Sequence, residues 1–358
     1  MHYAKTAQKL REQILRFSGE LSAGLPKPAR RFIAEMVYGI QARQSVRLTE
    51  IGRAPDPRVH DGSEDGLANG YWTLQVVGAE PGKPMVLPLY NRLYSQRSPE
   101  FRSENQEIKE AIEMISQWTQ RRGVWVMDRG GDRDNLLGDM IHNRRRFLVR
   151  LRKDRHLIYQ GRTRAVLEIA QGCPMLYLES IIKDEGDKAR GLRIEFGHRP
   201  VVLPGYEDPL YLVVVRGFGE ELLMLLTNVP LRRTRKNLWW AVESYMTRWT
   251  IEETIRFIKQ SYQLEDIRLL TYIRLQNMMA LVTAAAYFTM VYLNLRTKLR
   301  VLTGHVLQAA RRLFGIPDFR FYALADGIKA HLFGQKKGLY GCFSSRDPET
   351  GQRWLFSP

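Results

Sequence analysis

Four polar residues in the run YMTRWTIEETIRFIK share a helical spacing: Tyr245, Arg248, Glu252 and Lys259. An α-helix turns by about 100° per residue, so it would place all four within a stripe of about 60°, with Arg256 at the edge. A carboxylate binds Mg²⁺, and guanidinium, ammonium and phenol groups hold phosphodiester oxygens. The spacing therefore indicates a phosphate site that includes a metal ligand.

The same residues have a simpler explanation. Arg248 and Glu252 are four residues apart, as are Glu252 and Arg256, so both pairs would form ion pairs along an ordinary exposed helix. Each such pair is worth about 0.2–0.5 kcal/mol. The spacing alone leaves both interpretations open.

A second carboxylate follows a short apolar run. The segment GVWVMD ends at Asp128, as a buried strand does when it delivers an acidic side chain at its end. An aspartate in that position also commonly caps the next turn, and the polar DRGGDRDN that it begins would suit a loop. Asp128 is therefore either a second metal ligand or a capping residue.

Hydrophobic periodicity indicates the elements that must position these residues. It predicts helices at 7–19, 27–43, 103–119, 237–262, 269–297, 303–314 and 321–332, and a short one from residue 44 that prolines break before Asp61. The strand-like runs are a hairpin of YWTLQVVGAE and KPMVLPLYNRLYS, then GVWVM, FLVRLRK, HLIYQG, AVLEIA, LRIEFGHRPVVL, LYLVVVR and ELLMLLTN. This order predicts an α/β fold in which an antiparallel β unit follows Asp128.

The charge of the chain points to a polyanionic partner. Its 358 residues include 55 Lys and Arg against 38 Asp and Glu, a formal net charge of +17. Such an excess is typical of proteins that bind nucleic acid, although many basic proteins use charge only for solubility. The cations predicted to bind DNA are Arg144, Arg145, Arg146, Arg150, Arg152, Arg232, Arg233, Arg235, Lys236 and Arg256.

Cysteine usage and apolar segments bear on the compartment. Cys173 and Cys342 lie far apart, which predicts neither a disulfide framework nor a zinc module and fits a reducing cytoplasm. The first residues alternate basic and apolar types, so no secretory signal is expected. The uncharged segment 275–295 could just span a bilayer, but its Gln, Asn and Thr residues favour a buried core helix. We therefore expect a cytoplasmic, nucleoid-associated protein with no membrane partner.

The run YMTRWTIEETIRFIK resembles the Tyr-Arg-Glu-Lys signature of bacterial insertion-sequence transposases, which have an Asp-Asp-Glu catalytic site on a ribonuclease-H-like core. The resemblance extends to DGSEDGLANGYW, VMDRGGD, LEDIRLLTYIRLQNMMALV and RFYALADGI, so it covers most of the chain from about residue 60 onward. It implies an enzyme that cleaves and joins transposon-end DNA.

The resemblance also implies a role for each residue of the motifs. Asp128 and Glu252 would be catalytic metal ligands for Mg²⁺, with Mn²⁺ as a substitute, and should approach each other although 124 positions separate them. Tyr245, Arg248 and Lys259 would hold phosphates around the cleaved strand end. The implied partners are the double-stranded DNA of the transposon ends and the target, bound by a homodimer.

The resemblance further implies an order of domains. It starts with a basic helical N-terminal arm and ends with a helical C-terminal region and tail, and the ribonuclease-H-like core between them is interrupted by an inserted antiparallel β domain. The corresponding ranges are 1–60 for the arm, 61–145 for the first part of the core, 146–234 for the insertion, 235–300 for the second part of the core, and 301–358 for the C-terminal region.

One part of the family pattern has no counterpart. The first catalytic Asp of the family lies on a strand, whereas SVRLTEIG, predicted helical, and the loop-like APDPRVH precede Asp61 here. Asp56 and Asp61 are the nearby aspartates, and both lie in turn-like sequence. Because two metal ions need a bridging carboxylate, Asp61 is expected to be a weak metal ligand at best. Two functions stay open: an active transposase, and a catalytically inactive DNA-binding remnant of one.

The charge excess generates a first prediction. DNA affinity should fall steeply between 50 and 200 mM salt, on the order of 10³-fold if about six phosphates are contacted, because each contact releases counterions. Glu252→Gln should bind DNA at least as well as the unaltered chain, since it removes a negative charge. Fluorescence anisotropy at several salt concentrations measures both effects, and a salt-independent affinity would contradict the electrostatic account.

Overall fold

The computed structural model describes residues 3–46, 58–61, 66–69, 71–83, 85–184, 189–267, 269, 271–295, 297–307, 310, 319–333 and 339. Its α-helices are α1 (Tyr3–Leu21), α2 (Lys27–Arg43), α3 (Glu104–Trp118), α4 (Asp134–His142), α5 (Val166–Gln171), α6 (Arg235–Thr247), α7 (Trp249–Tyr262), α8 (Tyr272–Met290), α9 (Thr297–Leu307) and α10 (Phe321–Phe333). Its strands are β1 (Arg58–Asp61), β2 (Gly66–Asn69), β3 (Trp72–Ala79), β4 (Val86–Tyr94), β5 (Trp125–Met127), β6 (Phe147–Arg150), β7 (His156–Tyr159), β8 (Arg162–Ala165), β9 (Tyr177–Asp184), β10 (Ala189–Val201), β11 (Leu210–Arg216) and β12 (Leu223–Thr227).

The chain divides into two compact units. The described residues of Met1–Ala79, Pro84–Phe101 and Thr250–Pro358 form the helical unit. Those of Glu80–Lys83 and Arg102–Trp249 form the sheet unit. Asp128 and Tyr245 belong to the sheet unit, and Glu252 belongs to the helical unit.

A mixed sheet forms the centre of the sheet unit. Among the described residues its strand order is β5-β6-β12-β11-β10-β9, with β5 and β6 parallel and the remaining pairs antiparallel. Alternate residues of each strand face opposite sides. Phe147 and Val149 of β6 therefore join an apolar cluster with Leu137 of α4, whereas Leu148 joins a second cluster with Val242 of α6. Helices thus cover both faces of the sheet, and the ends of β5 and β6 are held side by side.

In the helical unit, α1 and α2 pack with α8, α9 and α10 around one apolar cluster that includes Leu10, Val37, Phe288 and Leu324. A buried polar network ties α2 to α7 and α8. The Gln41 amide donates to the Ala285 carbonyl at 2.7 Å and to the Thr289 hydroxyl at 2.9 Å, and that hydroxyl lies 3.0 Å from the Tyr262 hydroxyl. The two N-terminal helices therefore belong to the same packed unit as the C-terminal helices.

Most of the predicted elements are confirmed. The helices α1, α2, α3, α8 and α10 and the antiparallel β3–β4 hairpin lie where periodicity predicted them. The helix α9 begins six residues before the helix predicted at 303–314, and residues 308, 309 and 311–314 of that prediction lie outside the described residues. The run AVLEIA was wrongly predicted as a strand, since residues 166–171 form the helix α5. Its buried residues, Val166, Ile169 and Ala170, fit a helical spacing, which a six-residue apolar run does not separate from a strand. The short helix predicted from residue 44 does not begin there, because α2 ends at Arg43, and residues 47–57 lie outside the described residues.

The single helix predicted at 237–262 is interrupted. The helix α6 ends at Thr247 and α7 begins at Trp249, with Arg248 between them. At the last residue of α6, the Thr247 hydroxyl donates to the carbonyl of Glu243, one turn earlier, at 2.8 Å. This interaction commonly bends helices. The predicted stripe is therefore divided, with Tyr245 and Arg248 before or at the break and Glu252 and Lys259 after it.

The residues before Asp61 differ from the predicted loop. Residues 58–61 form the strand β1, which pairs antiparallel with β2 and ends at Asp61. Asp61 is thus at a strand end and not in a loop, which corrects the sequence-based expectation.

The segment 275–295 is a core helix, as predicted. Ten of the residues of α8 are buried, among them Val282, Ala285 and Phe288. Within the described parts of the chain, no single helix is long and apolar enough to cross a membrane. One bent pair, Tyr272–Asn294 with Leu299–Leu307 at 112°, meets the criteria of length and composition.

Close packing at Gly197 of β10 generates a stability prediction. A Cβ atom there would lie 2.0 Å from the backbone oxygen of Pro174, whereas a Cβ at Gly191 of the same strand would have no atom within 4 Å. Gly197→Ala should lower the free energy of unfolding by about 1–3 kcal/mol through overpacking. Gly191→Ala should leave it unchanged or raise it by about 0.5–1 kcal/mol. Urea unfolding measures both, and equal effects of the two substitutions would contradict this packing.

Candidate active site

Asp128 lies where the sheet unit places the end of β5. It follows Met127, and its carboxylate is exposed. Its Oδ1 accepts a hydrogen bond from the Gly130 backbone N–H at 2.9 Å, so it also caps the short 3₁₀ turn Arg129–Gly131. The prediction that a strand delivers this carboxylate is confirmed, and so is the capping role. One carboxylate can serve both purposes, because an ionised aspartate has more acceptor sites than one N–H uses.

A pocket of about 270 Å³ lies in the sheet unit and contains three of the predicted site residues, namely Arg150 from β6, Tyr245 from the last turn of α6 and Arg248 from the residue after it. The Arg248 guanidinium lies over the Tyr245 ring, with its carbon 5.7 Å from the ring centroid. Two guanidinium groups and a phenol at one cavity form a binding site suited to a phosphate group.

The Tyr245 hydroxyl is in an unusual state for a buried polar group. The residue is 3 % exposed, and within the described residues its hydroxyl oxygen has no hydrogen-bond partner. A buried hydroxyl without a partner costs about 1–3 kcal/mol. Tyr245 also lines the pocket, so a buried hydroxyl without a partner among the described residues belongs to a residue of the pocket wall.

Aromatic side chains form another wall of the pocket. Phe218 and Trp249 are stacked with their ring centroids 5.1 Å apart and an interplanar angle of 26°. Both line the pocket beside the two arginines. Such a surface suits the flat, apolar face of a base or a sugar next to the phosphate.

The acidic residue Glu221 completes the lining and connects the pocket to Asp128. Lys153 donates to it at 2.5 Å and Arg129 at 3.1 Å. The hydrogen bond from Lys153 is the largest effect that lowers the pKa of Glu221, and the charges of Lys153 and Arg129 lower it further. Glu221 is therefore ionised at neutral pH and already neutralised by two cations. Since Arg129 follows Asp128 directly, one of the two cations that bind Glu221 comes from the turn that carries Asp128.

The remaining residues of the motif lie on α7 in the helical unit. Glu252, Arg256 and Lys259 are exposed. Together with Ile255 and Gln260 they line an open pocket of about 400 Å³. Arg256 also pairs with Glu253 at 2.5 Å. A carboxylate and two cations thus share one side of the helix, as the spacing predicted.

The other predicted cations divide by exposure. Arg145 is 9 % exposed and binds Glu113 and, at 2.6 Å, Asp139. The remaining cations of the two runs are exposed and able to meet a polyanion at the surface: Arg144, Arg146, Arg152, Arg232, Arg233, Arg235 and Lys236. Arg235 also reaches Glu179 at 2.5 Å. Arg145 accordingly stabilises the sheet unit through these two carboxylates.

The two predicted metal ligands lie in different units, so their approach to each other stays a prediction. In the described part of the chain, no group of three or more His, Cys, Asp or Glu residues is placed to hold a metal ion. Asp61 is at the end of β1, and its metal role likewise stays a prediction.

Sequence reasoning did not identify the wall of the pocket. Phe218, Glu221 and Trp249 lie in a turn and at the helix break, and no spacing pattern relates them to Arg150. The sequence did place one aromatic residue of the wall next to a predicted site residue, since Trp249 follows Arg248 directly. Its significance depends on the contact with Phe218, which is 31 positions away and reaches it only through the fold.

Three comparisons place this site among known proteins. The family model described as "Transposase DDE domain" matches residues 93–288, which include Asp128, Tyr245, Arg248, Glu252 and Lys259. Among proteins with curated descriptions, none matches the sequence. A solved structure that is similar is the piggyBac transposase synaptic complex with hairpin DNA, at a TM-score of 0.41 and 10% sequence identity. That similarity covers 78% of this chain and 50% of the piggyBac chain, so the chain spans about half the length of the protein it matches.

The buried hydroxyl generates a prediction that separates stability from binding. Tyr245→Phe should leave the free energy of unfolding unchanged or raise it by up to about 1–3 kcal/mol, because it removes a polar group without a partner. Tyr177→Phe is the matched control in the same unit, since its hydroxyl donates to the Arg233 carbonyl at 2.8 Å and its loss should destabilise by about 0.5–1.5 kcal/mol. Urea unfolding measures both, and a clear destabilisation by Tyr245→Phe would contradict the open site.

Proposed function

The chain belongs to the family of transposases with a DDE domain, and from that premise we propose that it binds the ends of a bacterial insertion sequence. The observation that carries the proposal is the pocket in which Arg150, Tyr245 and Arg248 meet. Its cations and buried hydroxyl are complementary to one phosphate group of a DNA strand end. The ring faces of Phe218 and Trp249 would support the adjoining nucleotide.

The residues of the pocket would act by binding and orientation. The two arginines would neutralise the phosphate, and the Tyr245 hydroxyl would donate to one of its oxygens at no cost in lost internal hydrogen bonds. Holding the strand end in one orientation converts an encounter into a fixed geometry, which is the largest contribution a phosphate-binding site makes to phosphoryl transfer. The contact of Arg129, the residue after Asp128, with Glu221 of the pocket supports this arrangement.

Divalent metal ions are used by the family in general, and the chemistry of the donors present fits such an ion. Asp128 and Glu252 both carry exposed carboxylates, the ligand type that Mg²⁺ and Mn²⁺ favour. These two residues would hold the ion, with Asp61 as the candidate for a further carboxylate. When bound, the ion would supply activation of the attacking oxygen and stabilisation of charge on the leaving oxygen. Lys259 and Arg256 on α7 would hold neighbouring phosphates.

The fold and domain division follow as part of the proposal. A ribonuclease-H-like core, interrupted by an insertion at 146–234, accounts for a mixed sheet that begins with the strand before Asp128. Five strands of that range, β6, β9, β10, β11 and β12, continue the same sheet as β5, whereas β7 and β8 pair separately, so most of the insertion would be an extension of the core sheet. A helical N-terminal region that contacts DNA, a homodimer on the DNA and association with the nucleoid complete the proposal.

A second candidate function is a DNA-binding remnant that no longer cuts. One observation favours it: within the described residues β5 is an edge strand of its sheet. Asp61 is the residue that would change this assignment. Its position at the end of β1 gives it a firmer support than a loop would.

DNA-end binding tests the pocket. Arg150→Ala and Tyr245→Phe should each weaken binding of a 5′-phosphorylated end by roughly 10-fold or more, the effect of losing a charge-assisted contact. Arg216→Ala is the matched control, because this exposed arginine of the same sheet is outside the pocket lining. Equal losses in all three variants would show that only general charge is involved.

Strand cleavage separates the two functions. With supercoiled DNA bearing the element ends and Mg²⁺ or Mn²⁺, the chain should bind without nicking, because two metal ions need a bridging carboxylate and Asp61 is expected to be a weak metal ligand at best. Nicking that is lost in Asp128→Ala, Glu252→Ala and Asp61→Ala alike would overturn this expectation and identify Asp61 as the third acid.

A further inference from the structure

A second aspartate of the turn after β5 is buried. Asp132 is 1 % exposed, and its Oδ2 accepts from the Arg152 backbone N–H at 2.8 Å. Its Oδ1 accepts from Arg155 Nε at 2.7 Å, and Arg155 Nη2 lies 2.6 Å from the same atom. Arg155 Nη2 also donates to the Asp132 carbonyl oxygen at 3.2 Å. The carboxylate is therefore fully engaged inside the sheet unit and is not placed to bind a metal ion.

The donors to Asp132 lie in the segment that follows the neighbouring strand. Arg152 and Arg155 follow β6, which pairs in parallel with β5 in the register Met127↔Val149. Arg155 is itself largely buried, with a side chain 10% exposed, and it also binds Asp134. The Asp132–Arg155 contact thus joins the ends of two parallel strands, one of which carries Asp128.

The turn between the two aspartates is tightly constrained. The Gly131 N–H donates to the Asp128 carbonyl at 3.0 Å, and the Gly130 N–H donates to the Asp128 carboxylate at 2.9 Å. Gly131 is buried against Met127, whose Cβ would lie 2.6 Å from any Cβ added there. The turn is therefore fixed by β5 at one end and by Asp132 at the other.

We propose that Asp132 is a positioning residue for Asp128. By holding the far end of the turn against Arg152 and Arg155, it sets the direction of the exposed Asp128 carboxylate. This rests on the proposed function in one respect, the metal role of Asp128. The simplest competing role is stabilisation of the sheet unit as a whole, and it makes a different prediction for the amides of the turn.

Hydrogen exchange measures the order of the turn without any metal. In Asp132→Asn, the Gly130 and Gly131 amides should exchange at least about tenfold faster relative to the Val213 and Val214 amides of the central strand β11. Asp134→Asn is the matched control, because it removes the exposed partner of the same Arg155, and it should leave the ratio unchanged. A uniform acceleration of all four amides would show a role in global stability alone and would overturn the proposal.

Mn²⁺ binding, followed by electron paramagnetic resonance of the full chain, measures the consequence at Asp128. Asp132→Asn should weaken Mn²⁺ binding by roughly 10- to 100-fold, as loss of a supporting contact commonly does. Asp134→Asn should stay within about twofold of the unaltered chain, and Asp128→Asn should abolish the site. If Asp128→Asn abolishes Mn²⁺ binding but Asp132→Asn binds Mn²⁺ with unchanged affinity, the positioning role is overturned.

Two further results keep the tests independent. If Asp128→Asn leaves Mn²⁺ binding intact, the metal assignment in the proposed function fails, while the exchange of Gly130 and Gly131 still decides whether Asp132 orders the turn. If Asp132→Asn does not fold, Arg155→Lys replaces it. A lysine keeps the charge but cannot hold the carboxylate and the carbonyl together as the guanidinium does, so the same selective loss of protection is expected.

Discussion

The parallel pairing of β5 with β6 is the constraint on which the candidate site depends. Parallel strands end on the same side of a sheet, so the residues that follow them are brought together whatever their separation in sequence. Asp128 follows β5, Arg150 ends β6, and Arg152 and Arg155 follow it. The carboxylate that would hold a metal ion, the cation that would hold a phosphate and the buried anchor of the turn all derive from this one pair of strands.

The pocket shows how stability and function are divided between residues. Arg145 and Arg155 are largely buried and satisfied by carboxylates, so they stabilise the sheet unit at the expense of any external role. Tyr245 is as deeply buried, yet its hydroxyl has no partner among the described residues. The proposal that a ligand completes this hydroxyl rests on the contrast, because a phenylalanine would fold as well or better.

The sequence predicted the local elements and the chemical types of the site, but not their spatial combination. Asp128 could be predicted because an apolar run ending in an acid is a local pattern. That Arg150 and Tyr245 line the same pocket could not be predicted, because it depends on the packing of α6 against the sheet. The sequence around each residue gives no indication of that packing. The break at Arg248 was missed because the apolar periodicity runs on through it, whereas the hydrogen bond from the Thr247 hydroxyl to the Glu243 carbonyl becomes evident in the structure. Asp61 was assigned to a loop because a four-residue strand after two prolines carries too little periodicity to detect.

The resemblance predicts that Asp128 and Glu252 serve one metal site, and because the two residues belong to different compact units this stays a prediction for experiment. The direct test is chemical crosslinking of Asp128→Cys with Glu252→Cys in a chain whose Cys173 and Cys342 have been replaced by alanine and serine. A reagent that spans roughly 8 Å matches the distance between two carboxylates that bind two metal ions about 4 Å apart. We expect an intramolecular crosslink in the DNA-bound protein, identified by mass spectrometry of the joined peptides. Full reaction of each thiol alone without any joined peptide would contradict the shared site.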